Sequence, residues 1–128
     1  MGRSYFLDTD VLVEYLRGTQ KAIAFLESLK GDLFVSAITV AELFSGVRGE
    51  REEDALERFL LAFRIIPVDE ELAKQGGLLR RDYHPSHGVG LADAIIAATA
   101  SRLGAGLVTF NRRHYPMVED ITVPWSRV

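Results

Sequence analysis

Short apolar runs alternate with helical patterns from one end of this chain to the other, and that alternation limits what it can fold into. Tyr5-Phe6-Leu7, Leu33-Phe34-Val35-Ser36, Ile65-Ile66-Pro67-Val68, Leu107-Val108-Thr109-Phe110 and Ile121-Thr122-Val123-Pro124 read as strands. Between them lie stretches with apolar side chains at helical spacing. The spacing predicts a short helix capped by Thr9 or Asp10 and ended by Gly18, then helices over 20–29, from Thr39 to Gly49, and over 50–62, 70–83 and 91–103. The last of these is apolar nearly all round, which predicts a buried helix. Gly31-Asp32 reads as a turn, 84–90 (HPSHGVG) as a loop and 111–118 as an irregular or helical turn. Pro67 puts the third strand at a sheet edge. Strands alternating with helices predict an α/β fold: a parallel sheet, right-handed crossovers and helices on both faces.

At 128 residues the expectation is one domain spanning 1–128. The absence of cysteine excludes disulfides and thiolate metal sites. The amino-terminal MGRSYF has no signal-peptide apolar region, and no apolar run approaches the roughly 18 residues of a membrane span. A cytoplasmic protein with no membrane partner is therefore expected. A net charge of −3 argues against holding nucleic acid by bulk electrostatics. It leaves open a protein whose acids hold metal ions, because bound cations invert the local field.

The acids carry the chemistry. Asp8 ends the first strand, where an open parallel sheet binds its ligands. Glu42 falls in the first turn of the helix after the second strand. Asp93 opens the buried helix, and Asn111 follows the fourth strand. Asp93 reaches the same edge only if the loop before it delivers its helix there. Carboxylates converging on one point repel one another and rise in pKa, which a divalent cation relieves. An all-oxygen donor set selects a hard ion, Mg²⁺ or Mn²⁺. Such an ion activates water and neutralises phosphate charge, so hydrolysis of a phosphodiester is the chemistry expected.

Each residue also has a plain structural reading. Asp10 can be a helix N-cap, Thr39-x-x-Glu42 is formally a capping box, and Asp93 suits a helix dipole. Asp8, directly after a buried strand, is hardest to explain that way. His84 and His87 could ligate a transition metal, but their loop composition favours solvated or substrate-side side chains. Arg80, Arg81, Arg112 and Arg113 read equally as phosphate contacts or as solvated surface.

Four stretches together, FLDTDVLVEYL with Asp8, VSAITVAELFSGV with Glu42, GLADAIIAATA with Asp93 and LVTFNRRHYPMV with Asn111, resemble the PIN-domain family. Within it they are most similar to VapC-type toxins of toxin–antitoxin pairs. The resemblance covers nearly the whole chain. It implies a three-layer α/β/α sandwich and an endoribonuclease using Mg²⁺ or Mn²⁺. It carries Asp8, Glu42 and Asp93 over as the catalytic, metal-holding acids, and implies that the helix does bring Asp93 to the site. In-line attack by water would leave a 5′-phosphate. The family often has a further aspartate after the fourth strand, where this chain has His114. One tightly held ion is therefore expected, with a second only alongside RNA. Asp10, Thr9, Thr109, Asn111 and Arg112 are expected around the ion or the substrate. The resemblance also implies a homodimer and a cognate VapB-like antitoxin that covers the site. The stripes at Phe25–Leu29 and Phe44–Val47 could receive that antitoxin, although most of their members read as ordinary core.

Two rival readings remain. LDTDV also resembles the first motif of haloacid-dehalogenase-type phosphatases, with Asp8 as nucleophile. That family needs a downstream lysine near the site, and the last lysine here is Lys74. The other rival is a PIN-like module that binds without cleaving, which the three intact acids speak against.

Overall fold

β1, Arg3–Leu7, runs through the middle of the sheet and sends alternate side chains to opposite faces. In this computed structural model, which describes residues 3–125, Phe6 and Leu7 are both 0% exposed. Full burial of each such side chain stabilises by about 1.5–3 kcal/mol. Met1 and Gly2, part of the amino-terminal stretch read above, lie outside the described residues, as do 126–128.

The other strands among the described residues are β2 (Gly31–Ser36), β3 (Arg64–Ile66), β4 (Gly106–Val108) and β5 (Ile121–Thr122). All pair in parallel, in the order β3-β2-β1-β4-β5. The helices are α1 (Thr9–Leu16), α2 (Gln20–Ser28), α3 (Ala37–Ser45), α4 (Gly49–Leu60), α5 (Glu70–His87) and α6 (Leu91–Leu103), with a 3₁₀ turn at Arg112–His114. Leu7 belongs to one apolar cluster with Val11, Leu12, Leu26, Leu43, Leu56 and Leu60, drawn from α1 to α4. Phe6 belongs to another with Ile96, Ala97 and Ala100 of α6, and with Leu107 and Tyr115. The architecture is thus the three-layer α/β/α sandwich around a parallel sheet. Every residue of α6 from Ala94 to Ala100 is buried, as its composition predicted.

Several boundaries differ from the sequence expectation. Gly31-Asp32 is not a turn but the start of β2. Gly31 has φ 146°, and a β-carbon there would collide with the carbonyl oxygen of Arg3 on the neighbouring strand. The helix after β2 starts at Ala37 rather than Thr39 and is capped at its far end by Gly46 rather than running to Gly49. Ser36 caps its start, its hydroxyl accepting from the Ile38 amide at 3.0 Å. β3 ends before Pro67 yet lies at an edge as expected. β4 ends at Val108 and β5 at Thr122, short of the expected Phe110 and Pro124. The 84–90 loop is the largest correction. α5 continues through His84 and Pro85 to His87 and stops at Gly88, whose φ of 66° suits a left-handed cap. Only 88–90 remain outside helix.

α5 lies unusually close to α6. A β-carbon at Gly76 would stand 2.6 Å from Ile95 Cγ1 and 3.0 Å from Ile95 Cα. That contact sets how closely α6, which carries Asp93, lies against α5. No helix among the described residues is long and apolar enough to cross a membrane.

Candidate active site

The strand order runs outward in opposite directions from β1 and β4, so the chain leaves those two strands toward opposite sides of the sheet. Between their carboxyl ends opens the crevice where parallel α/β sheets take ligands. Asp8 is there because β1 ends at Leu7. Its amide N–H still follows the ladder and donates to Val108 O at 3.0 Å. Asp8 also caps α1, accepting from the Thr9 amide through Oδ1 at 2.8 Å. The cap is therefore Asp8, not Thr9 or Asp10. An extended φ, ψ and the acceptor oxygen both belong to the residue preceding the helix.

Oδ2 of Asp8 accepts from the Thr109 hydroxyl at 2.8 Å and from the Tyr115 hydroxyl at 2.9 Å. Asp8 is 6% exposed. Burial, then the nearby Asp10 charge, push its carboxyl up to about 7; the two hydroxyl donors pull the other way, and Asp93 adds a smaller upward push. The Tyr115 hydroxyl is driven far above its usual range by burial and by the charges of Asp8 and Asp93, so it stays protonated and donates.

Asp10 is not spent on the helix terminus. Its Oδ2 accepts from the Phe110 amide at 3.1 Å and lies 3.4 Å from Thr109 Oγ1, which holds the exit of β4. Glu42 is not part of a capping box. With Ser36 as cap it lies in the second turn of α3, exposed, and accepts from Thr9 Oγ1 at 2.7 Å. Thr39, the expected cap, is buried with its hydroxyl 3.0 Å from that of Thr9.

Asp93 sits in the first turn of α6 and does reach the edge. Its Oδ1 lies 3.2 Å from the Tyr115 hydroxyl and its Oδ2 3.0 Å from His114 Nδ1. His114 Nδ1 is also 2.8 Å from the side-chain amide of Asn111. One ring nitrogen cannot accept from an amide N–H and donate to a carboxylate at once. The consistent assignment is Nδ1–H donating to Asp93, with the Asn111 carbonyl oxygen turned toward the ring. Arg112 begins the 3₁₀ turn and is exposed, as is Arg113.

Asp8, Asp10, Glu42 and Asp93 line one cavity of about 370 Å³, together with Thr9, Val13, Glu14, Arg17 and Asn111. His84, His87 and Arg81 are not among its lining residues. His84 Nδ1 is 3.1 Å from Val89 O, His87 Nδ1 is 2.7 Å from Ser86 Oγ, and Arg81 pairs with its neighbour Asp82 at 2.9 Å. Phe25, Leu29, Phe44 and Val47 are partly buried and pack against the first apolar cluster.

Among the described residues no three His, Asp or Glu side chains are arranged to enclose a metal ion by themselves. Magnesium does not require such a cage, since it keeps several waters and is bound through one or two carboxylates. The donor chemistry fits: oxygen donors only, around a carboxylate whose charge is held back by burial and by two further acids.

Sequence reasoning missed Tyr115. Nothing in periodicity marks it; the usable signal is that a buried tyrosine needs a partner for its hydroxyl.

The PIN domain family model matches residues 5–118, and the chain belongs to the PIN-domain family. It is 40% identical to ribonuclease VapC10 of Mycobacterium tuberculosis over 94% of this chain and 92% of the relative. To toxin FitB of Neisseria gonorrhoeae it is 36% identical, over 93% and 96%. A toxin–antitoxin complex from Klebsiella pneumoniae contains a chain of the same fold, with a TM-score of 0.82 at 26% identity over 94% of this chain and 98% of that one.

Proposed function

We propose that the chain is a single PIN domain acting as a metal-dependent endoribonuclease, the toxin of a type II toxin–antitoxin pair. One observation carries the reading. Acids from separate segments, Asp8, Asp10, Glu42 and Asp93, line one cavity between the carboxyl ends of β1 and β4. The names of the relatives, ribonuclease and toxin, support it.

Asp8, Asp93 and Glu42 would hold Mg²⁺ or Mn²⁺. When bound, the ion supplies an activated water and neutralises charge on the scissile phosphate. The chain's own residues do the rest. Thr109 and Tyr115 fix the Asp8 carboxylate, and Thr9 fixes Glu42. Asp10 orients Thr109 and the chain leaving β4. Asn111 lines the cavity and Arg112, next in the chain, is exposed; both are available to an RNA phosphate. The product carries a 5′-phosphate, and the RNA 2′-hydroxyl is not the nucleophile.

The chain's partner is a VapB-like antitoxin, which covers the acid-lined cavity; that a neighbour of the same fold comes from a toxin–antitoxin complex supports the partnership. The working form is a cytoplasmic homodimer. Incubation of defined RNAs with Mg²⁺ or Mn²⁺, with and without EDTA, tests the activity: cleavage that survives EDTA contradicts it. A phosphoenzyme trapped at Asp8 would instead favour the phosphatase reading.

A further inference from the structure

Two carboxylates far apart in the sequence share a single hydroxyl. Tyr115 Oη lies 2.9 Å from Asp8 Oδ2 and 3.2 Å from Asp93 Oδ1. Laid end to end, those two legs put the carboxylate oxygens no more than about 6 Å apart. Left to themselves, two carboxylates at that distance would move apart, since like charges in a partly dry site repel. A hydroxyl proton between them opposes this.

The hydroxyl is itself held in place. Tyr115 is 1% exposed, its ring packed with Phe6, Ile96, Ala97, Ala100 and Leu107. Its amide N–H donates to Arg112 O at 3.0 Å and its carbonyl accepts from the Val118 amide at 3.1 Å, so the backbone is fixed on both sides. The ring cannot swing away without opening the core beneath α6.

We infer that Tyr115 is a positioning residue: its hydroxyl joins Asp8 to Asp93 and sets the gap across which the divalent cation binds. The inference rests on the metal-holding role proposed for those acids. A donor that orients a ligand carboxylate raises metal affinity, and loss of such partners typically weakens it 10–100-fold. A tyrosine that served only to fill the core would leave affinity unchanged when its hydroxyl is removed.

Tyr115→Phe keeps the ring and deletes the hydroxyl. Tyr115→Met puts a smaller, flexible apolar chain in the same place and provides a second hydroxyl-free variant. Calorimetric titration of the full chain with Mn²⁺ is the primary readout, and the Mn²⁺-dependent rise in Tm is the second. Wild type is expected to bind, and both variants to bind at least 10-fold more weakly. The Mn²⁺ concentration for half-maximal RNA cleavage should rise by a similar factor. Equal affinity in wild type and variants, even with a lower ion-free Tm in the variants, overturns the inference alone. A wild type that takes up no Mn²⁺ overturns both it and the metal-holding role of the acids.

Discussion

Thr109 donates its hydroxyl proton to Oδ2 of Asp8 across 2.8 Å, joining the residues just past the ends of β1 and β4. Those two strands are adjacent in the sheet, and the crevice opens between them. The same Thr109 oxygen accepts from the Asn111 amide at 3.0 Å and lies 3.4 Å from Asp10 Oδ2. One buried hydroxyl thus sets two acids and the start of the segment that carries Asn111, His114 and Tyr115.

Thr109→Val keeps the shape and removes the hydroxyl. Asp8 loses a donor that favours its charged form, and the Asn111 amide loses its acceptor. Stability of the ion-free protein at pH 8 should fall by about 1–3 kcal/mol. Urea denaturation in EDTA measures it, and an unchanged midpoint would contradict the role given to Thr109.

Asp8→Asn should act in the opposite direction. The Asp8 carboxyl is raised from 3.8 to about 7, so between those pH values the folded chain binds more protons than the unfolded one. Its contribution to stability is full below about pH 4 and is lost as pH rises through about 7. An amide at this position carries no charge to desolvate. Its oxygen can accept from the Thr9 amide while its NH₂ donates to the Thr109 and Tyr115 hydroxyls, which then donate to Asp10 and Asp93. In EDTA at pH 8 the variant should exceed wild type by up to about 4 kcal/mol, an upper bound for a group shifted this far. Near pH 4 the difference should vanish. Urea melts at both pH values check the slope; a wild type that gains stability from pH 5 to pH 8 relative to Asp8→Asn would refute it.

Gly76→Ala tests how Asp93 is delivered. The added methyl group meets Ile95 at its Cγ1 and Cα, and the backbone side of that contact cannot rotate away. α5 and α6 must separate slightly, at about 1–3 kcal/mol. Thermal melting should show a Tm lower by several degrees. An unshifted Tm would mean the helices do not pack as closely as described.

Much of this was legible in the residues. The five strands, the buried α6 and the three acids follow from apolar runs, turn residues and charges placed where a strand gives way to a helix. The errors share a cause: caps and loop ends depend on which backbone groups find partners. Asp8, not Asp10, caps α1 because its carboxylate reaches the Thr9 amide. Ser36 preempts Thr39 in the same way, which moves Glu42 a turn along its helix and out of a capping box. HPSHGVG carries loop composition, yet α5 continues to His87 before Gly88 ends it. His114 is marked in the sequence only as standing where the resembled family often has an aspartate, and Tyr115 not at all. Their role depends on a 3₁₀ turn that brings a segment more than twenty residues beyond Asp93 back onto it.

Cleavage of defined RNAs by wild type and by Asp93→Asn, in Mg²⁺ or Mn²⁺, tests the central claim most directly. Asp93 is joined to Asp8 through the Tyr115 hydroxyl, and its carboxylate bonds Tyr115 and His114 rather than β1 or the Asp8 cap, so its substitution leaves both in place. The account predicts metal-dependent cutting by wild type, with 5′-phosphate ends, and a loss of at least about 100-fold in Asp93→Asn, as expected when a ligand that stabilises transition-state charge is removed. Equal cutting by the two proteins, or cutting by wild type that persists in EDTA, would contradict it.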